Sequence, residues 1–149
     1  MANYAVTMTR TASTTASLGT ISSSATRARR TEWYDYTFGS PAAPADNAFL
    51  YVVQRFTAPG TNTSVTPQPL DPADFATESV AGQLNTVEPT YTANQILDSV
   101  PINQRATYRW WCQDTGRLVT PATASNGLGI ATPTSSAVVI YAKVLYCER

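Results

Sequence analysis

Few residues in this chain are of a type that performs chemistry. It holds ten acidic and ten basic residues, two cysteines and no histidine in 149 residues. Without histidine the commonest general base and the commonest metal ligand are both missing. Cys112 lies in an apolar run with no histidine to take its proton, so its reactive thiolate form is disfavoured. The acids are dispersed. Asp71 with Asp74, or Glu78 with Glu88, are the pairs that could set two carboxylates a few ångströms apart, as glycoside hydrolysis requires. Nothing in the sequence positions either pair in a groove. No glycine-rich phosphate loop, calcium-binding loop or Cys-x-x-Cys pair is present. The expectation is a protein that acts by binding, with no catalytic residue, no cofactor and no metal.

The remaining features narrow the class. Cys112 and Cys147 sit in or beside apolar strands, and a pair of buried free thiols is expected. A disulfide would need neighbouring strands and Cα atoms roughly 4.4–6.8 Å apart, which sequence does not fix. Asn62-Thr63-Ser64 matches a glycosylation sequon, but the N-terminus has no basic-then-apolar leader, so the match reads as chance. No apolar run approaches the roughly 18–20 residues of a membrane span. The formal charge of zero argues against a general nucleic-acid binder. Low total charge also suits a protein that is assembled with partners.

The elements that must position these residues read as strands. The densest cluster of large side chains is Ser99–Cys112. Within it Ala106, Tyr108, Trp110 and Cys112 alternate with Thr107, Arg109 and Trp111, which predicts a central strand covered on both faces. Asp114–Gly116 then gives a turn, and Arg117–Val119 the return leg of a hairpin. Asn3–Thr9, Glu32–Phe38, Phe49–Thr57, Thr90–Val100 and Ser136–Tyr146 also read as strands. In Glu32–Phe38 the expected inward set is Tyr34, Tyr36 and Phe38, with Trp33 on the other face. Pro67 and Pro69 confine Thr63–Leu70 to an edge or a loop. Asp71 as cap and Pro72 as first helical residue predict a helix of one or two turns over Asp71–Ala76. Glu78–Pro89 reads as irregular, and Pro121–Gly129 as a loop with Asn126-Gly127 at its tip. The sum is an all-β fold: an antiparallel, jelly-roll-like β-sandwich of seven to nine strands with at most one short helix.

Residues 1–30 stand apart as an extended N-terminal arm or first strand, ahead of a single sandwich domain over 31–149. Thr11–Thr26 is nearly all small hydroxylated residues, with only Leu18 and Ile21 to anchor it; it reads as an extended loop or a weak strand, either mobile or clamped onto a neighbouring subunit. Arg27, Arg29 and Arg30 form either a solvated edge that blocks strand pairing or a contact to an acidic patch on a partner. Trp33, Trp111 and Tyr91 could stack on sugar rings, but Trp and Tyr are also enriched at protein interfaces, and the interface is the favoured reading. The expected partner-binding residues are therefore Leu18, Ile21, Arg27, Arg29, Arg30, Trp33 and Trp111.

Several segments carry a resemblance. Tyr4–Ser17, Pro44–Leu50, Thr61–Thr63 with Asp71–Asp74, Ser99–Trp110, and Pro121–Thr123 with Asn126-Gly127 together resemble small structural proteins of tailed bacteriophages. The pattern departs after the Trp strand: an Ala-Pro-Gly-Gly-type hairpin is replaced by Trp111–Gly116. The resemblance implies a virion protein, made in the host cytoplasm and carried on the capsid surface as a decoration (cement) protein. It implies the major capsid protein as partner and self-association as a homotrimer or homodimer, with no nucleic-acid or membrane partner. A tail, neck or fibre-associated adaptor and a carbohydrate-binding module are the alternatives.

Overall fold

The computed structural model describes residues 1–113, 115–134 and 137–149. Among them lie twelve strands and no helix: β1 (Asn3–Thr11), β2 (Gly19–Ser22), β3 (Thr31–Gly39), β4 (Ala48–Phe56), β5 (Thr61–Val65), β6 (Gln68–Pro69), β7 (Val80–Val87), β8 (Tyr91–Asn103), β9 (Tyr108–Trp111), β10 (Leu118–Thr120), β11 (Gly127–Ala131) and β12 (Val139–Glu148). They form two antiparallel sheets. The first runs β6-β1-β12-β3, with β9 and β10 both on the far edge of β3; the second runs β5-β7-β2-β11-β4-β8.

The winding is a nested hairpin. β1 pairs with β12, β2 with β11, β3 with β10 and β9, and β4 with β8. Strands β5 to β7 are the excursion between β4 and β8. Period-two alternation gives each sheet an apolar inner face. Tyr4, Val6 and Met8 of β1 and Ile140, Ala142, Val144 and Tyr146 of β12 are buried there. Leu18, Ile21, Tyr51, Val53, Leu128 and Ile130 are buried with them in one core. Rings cement the join: Phe38 of β3 stacks on Tyr51 of β4 with centroids 4.6 Å apart. Polar bonds cross it too. The Tyr36 and Tyr108 hydroxyls both donate to the Asp98 carboxylate of β8, and the Tyr51 hydroxyl donates to the Gly39 carbonyl at 2.7 Å.

Several expectations need correction. The strand number is twelve, above the expected seven to nine, because strands form where the sequence is polar or glycine-rich. β7 occupies the Glu78–Pro89 stretch read as irregular. β11 runs through the segment read as a loop, and Asn126-Gly127 marks its start. Both β7 and β11 have neighbours on either side, which satisfies their backbone groups. Their missing side-chain cover comes from elsewhere. A Cβ on Gly129 would lie 2.5 Å from the Tyr91 hydroxyl, one on Gly127 would strike the Phe56 ring, and one on Gly82 the Asn62 amide. That Asn62 amide, the sequon position, also donates to Thr20 Oγ1 at 3.1 Å.

Asp71–Ala76 is a single turn. Ala73 N donates to Asp71 Oδ1 at 2.9 Å and Asp74 N to the Asp71 carbonyl at 3.0 Å. Its one large apolar residue, Phe75, is 87 % exposed, so no apolar face holds a helix in place. The Trp strand is an edge. Ser99–Asn103 belongs to β8, and the chain then crosses between sheets to the four-residue β9. β10 is no hairpin return: β9 and β10 are both antiparallel to β3 and so run in the same direction. They follow one another along the same edge of β3, with Cys112 N donating to the Tyr34 carbonyl at 2.9 Å just after β9. The expected turn at Asp114 and the expected start of the last strand at Ser136 lie outside the described residues.

The N-terminal thirty residues are woven into the body. β1 lies between β12 and β6, and β2 lies between β7 and β11.

Candidate interaction surface

Of the seven expected contact residues, three are interior. Leu18 and Ile21 are 0 % exposed in the chain's own core. The hydroxyl-rich segment around them has little apolar surface and is held by hydrogen bonds instead. Leu18 N donates to the Ile130 carbonyl at 2.8 Å. Ser17 donates to the Glu88 carboxylate through N at 2.6 Å and through Oγ at 2.7 Å, and Ser23 Oγ donates to the Arg29 carbonyl at 2.6 Å. The Arg10 guanidinium donates to the carbonyls of Ser17 and Asn85 at 2.9 and 2.7 Å.

Trp33 is also 0 % exposed, and the cause is a bulge. The register of β12 on β3 passes from Leu145 opposite Asp35 to Tyr146 opposite Trp33, so Tyr34 is skipped. One extra residue reverses the parity of the strand, which puts Trp33 inside and leaves Tyr34 half-buried. Trp111 stays at the surface, 59 % exposed, opposite Asp35, whose carboxylate is gripped by Arg109. Tyr91 lies over β11 with its hydroxyl bonded to Ser17 at 2.6 Å. The three aromatic residues considered for sugar stacking are therefore not brought onto one face.

The arginines do come together, with two that the sequence reading missed. Arg27 Nη1 and Arg29 Nε reach the Glu78 carboxylate at 3.3 and 2.5 Å. Glu32 is met by Arg30 Nε at 2.8 Å, Arg117 Nη1 at 3.2 Å and Arg149 Nε at 3.6 Å. The winding explains the convergence. Glu32 is opposite Val119 on one side and Cys147 on the other, so Arg117 and Arg149, each two residues from those partners, flank it from β10 and β12, while Arg30 precedes β3 at the same end. Arg30 and Arg149 are tied there by two backbone hydrogen bonds of 3.2 and 2.9 Å.

The electrostatics follow from these contacts. Burial alone would push the Glu32 carboxyl up. The hydrogen bond from Arg30, the charges of Arg149 and Arg30 and the bond from Arg117 outweigh it and hold the group below its ordinary value. Glu78 is also held low, first by its hydrogen bond from Arg29 and then by that from Arg27. Neither carboxylate is placed to carry a proton near neutral pH. Beside Glu32, Arg117 Nη1 donates to Cys147 Sγ at 3.2 Å, and burial pushes that thiol up.

Next to the arginines a strap, Leu70–Ser79, crosses the end of the first sheet. Glu148 anchors it: Oε1 accepts from Ser79 N at 2.7 Å and from the Thr77 hydroxyl, and Oε2 accepts from Glu78 N at 3.2 Å. The Tyr4 hydroxyl donates to the Phe75 carbonyl at 3.1 Å, and the Tyr146 hydroxyl bonds Thr77 Oγ1 at 2.9 Å. Phe75 is thus displayed on a fixed backbone. A cavity of about 350 Å³ opens beside it, lined by Ala2, Tyr4, Phe75, Ala76, Arg29 and Arg149 among others. A second cavity of about 220 Å³, lined by Arg30, Glu32, Gly116, Arg117, Val119 and Arg149, shares Arg149 with the first.

Comparisons with protein-family models, with curated proteins and with solved structures find no match to this chain. Its geometry must carry the functional reading. The acid pairs singled out for hydrolysis are not assembled: Glu78 faces the arginines and Glu88 binds Ser17, while Asp71 and Asp74 belong to an exposed turn. Among the described residues no group of three His, Cys, Asp or Glu side chains could hold a metal, and both cysteines are free thiols. What the arginine end can do is bind: it offers guanidinium forks beside an uncovered aromatic ring.

Proposed function

We propose that this chain is a non-catalytic assembly protein of the tailed-bacteriophage virion, a jelly-roll sandwich that decorates the outer shell and cross-links neighbouring copies of the major capsid protein. The observation that carries the reading is Phe75, 87 % exposed on a strap fixed by Glu148, Tyr4 and Tyr146 and flanked by Arg29. Aromatic rings and arginines are the side chains that dominate binding energy at protein interfaces. A rigid backbone presents them with little ordering cost. The nested pairing of β1 with β12, β2 with β11, β3 with β10 and β9, and β4 with β8 supports the jelly-roll assignment. That fold recurs in viral capsid domains, an analogy at the level of fold that leaves the function to be argued from the surface.

Decoration works by multiplicity. Each copy buries surface against two or more neighbours, roughly 1,200–2,000 Å² for a stable contact, and many copies resist internal pressure together. The protein acts as a homotrimer or homodimer, so light scattering should give more than the 16.0 kDa of one chain. The decisive experiment mixes purified protein with expanded shells that lack it and counts bound copies by quantitative mass spectrometry. Hundreds per particle support decoration. A dozen or fewer move the protein to the tail, neck or fibre, and no association refutes the virion reading.

A further inference from the structure

We infer that the arginine end is the docking site for an acidic, extended segment of a partner protein. One apolar side chain of that segment lies against Phe75, and its flanking carboxylates bind Arg29 and Arg149. The inference rests on the reading above, that the chain acts by binding other proteins, and names the partner's chemistry at that surface.

Charge is the first ground. The chain is neutral overall, yet Arg27, Arg29, Arg30, Arg117 and Arg149, five of its ten basic residues, meet here. They converge on two carboxylates, Glu32 and Glu78, while the Glu148 carboxylate is engaged by Thr77, Ser79 and the Glu78 amide. Donor geometry is the second. A guanidinium has five N–H donors, and its paired Nη groups form the fork that holds a carboxylate bidentate. Arg29, Arg30 and Arg149 each meet their glutamate through Nε. Their Nη groups remain to receive a second carboxylate, on side chains 52 %, 50 % and 54 % exposed.

Shape is the third ground. The cavity of about 350 Å³ has an apolar side, Ala2, Tyr4, Phe75 and Ala76, and a charged rim on which Arg29 and Arg149 alternate with Glu78 and Glu148, the two carboxylates already engaged by Arg29 and by the strap. That pairing asks for an apolar side chain with acids on either side. A nucleic-acid backbone is a continuous run of phosphates with no such apolar group to lay against Phe75.

The test uses the intact chain and a synthetic capped peptide, Asp-Glu-Leu-Glu-Asp, in isothermal titration calorimetry at low salt. The peptide should bind saturably at one site per chain. Affinity should fall about tenfold or more in the Arg29→Ser, Arg149→Ser double variant and about threefold or more in Phe75→Ser, the range expected for interface anchors. It should also fall as salt rises. Lys143→Ser, on another part of the surface, should bind like the parent. All four positions are solvent-exposed, and a matching thermal midpoint confirms that each variant is folded. No saturable binding, equal binding by the variants, or equal binding of a single-stranded oligonucleotide of the same charge would overturn the inference. Failure here is separable from failure of the wider reading. If the parent decorates shells and the double variant decorates them equally well, only this site is wrong; if the parent does not associate with shells, the virion reading is.

Discussion

Replacing Leu18 by Ala should lower the stability of the isolated chain by about 3 kcal/mol, within the roughly 2–5 kcal/mol span of such core truncations. The side chain is 0 % exposed, so all of its apolar surface is lost from the core. Three carbons at about 0.8 kcal/mol each account for some 2.4 kcal/mol by transfer alone. A cavity adds to this unless the walls close in, and the walls here are pinned. Leu18 N donates to the Ile130 carbonyl at 2.8 Å, and Leu84 N donates to the Leu18 carbonyl at 3.4 Å, so both neighbouring strands fix the backbone. For a chain of 149 residues a loss of that size lowers the thermal midpoint by about 6–12 °C. The control is Phe75→Ala, whose exposed ring should cost no more than about 0.5 kcal/mol. Urea unfolding followed by tryptophan fluorescence reads both, because Trp33 is buried in the core and an unchanged slope confirms a common unfolded state. An arm that docks on a neighbour makes the opposite forecast, with Leu18→Ala silent in the isolated chain. A loss below about 1 kcal/mol, well short of a core truncation, or a larger loss for Phe75→Ala, would therefore refute the core assignment.

Gly129→Ala should destabilise by about 1–3 kcal/mol, since its Cβ would sit 2.5 Å from the Tyr91 hydroxyl in a central strand; a thermal midpoint at or above the parent's would show that Tyr91 moves away freely. Glu32 gives an acid-sensitive contribution. Its folded pKa lies below the ordinary 4.5, so the stabilisation is complete above that value and is lost as pH falls through the folded pKa. Urea midpoints measured from pH 6 to pH 3 should fall more steeply for the parent than for Glu32→Gln, and parallel curves would remove Glu32 from the account. Cys147 is fully buried and Cys112 half-buried, and burial raises both thiol pKa values. An aromatic disulfide reagent should therefore label at most one thiol per native chain, slowly, and two in urea; fast labelling of two would contradict the packing around Cys147.

The strands legible in the sequence are those that bring their own apolar face. Tyr4, Val6 and Met8 mark β1, and Ile140, Ala142, Val144 and Tyr146 mark β12, because each inward position is filled by a large or β-branched residue or packed against one. β7 and β11 were illegible for the opposite reason, and β2 showed only as a weak strand or an extended loop. Their stability comes from position in the sheet and from rings and amides contributed by others: Phe56 and Tyr91 over β11, Asn62 over β7. No local window contains that information. The parity of β3 was read correctly at Tyr36 and Phe38 and wrongly at Trp33, since a one-residue bulge leaves no mark in an aromatic-rich run. The surface divides in the same way. Arg27, Arg29 and Arg30 are neighbours in sequence and were visible as a group, but Arg117 and Arg149 join them only through the pairing of β3 with β10 and β12.

That pairing also ties the arginine end to the most remote contact in the chain. β1 and β12 pair along nine consecutive positions, from Asn3 with Cys147 to Thr11 with Val139. Closing a pair so far apart in sequence comes at a large loop-entropy cost, which slows folds dominated by such contacts. The end of this same pair supplies Ala2, Tyr4, Glu148 and Arg149 to the cavity beside Phe75. Glu148 then fixes the strap, and Arg149 bonds to the backbone of Arg30 and approaches Glu32. If the β1–β12 end frays, the strap loses its anchor, Phe75 loses its fixed backbone and two of the guanidiniums lose their common neighbour. On the proposed docking reading, the arginine end is complete only when the β1–β12 pair is closed, and a partner that recognises it engages the completed sandwich in preference to a frayed one.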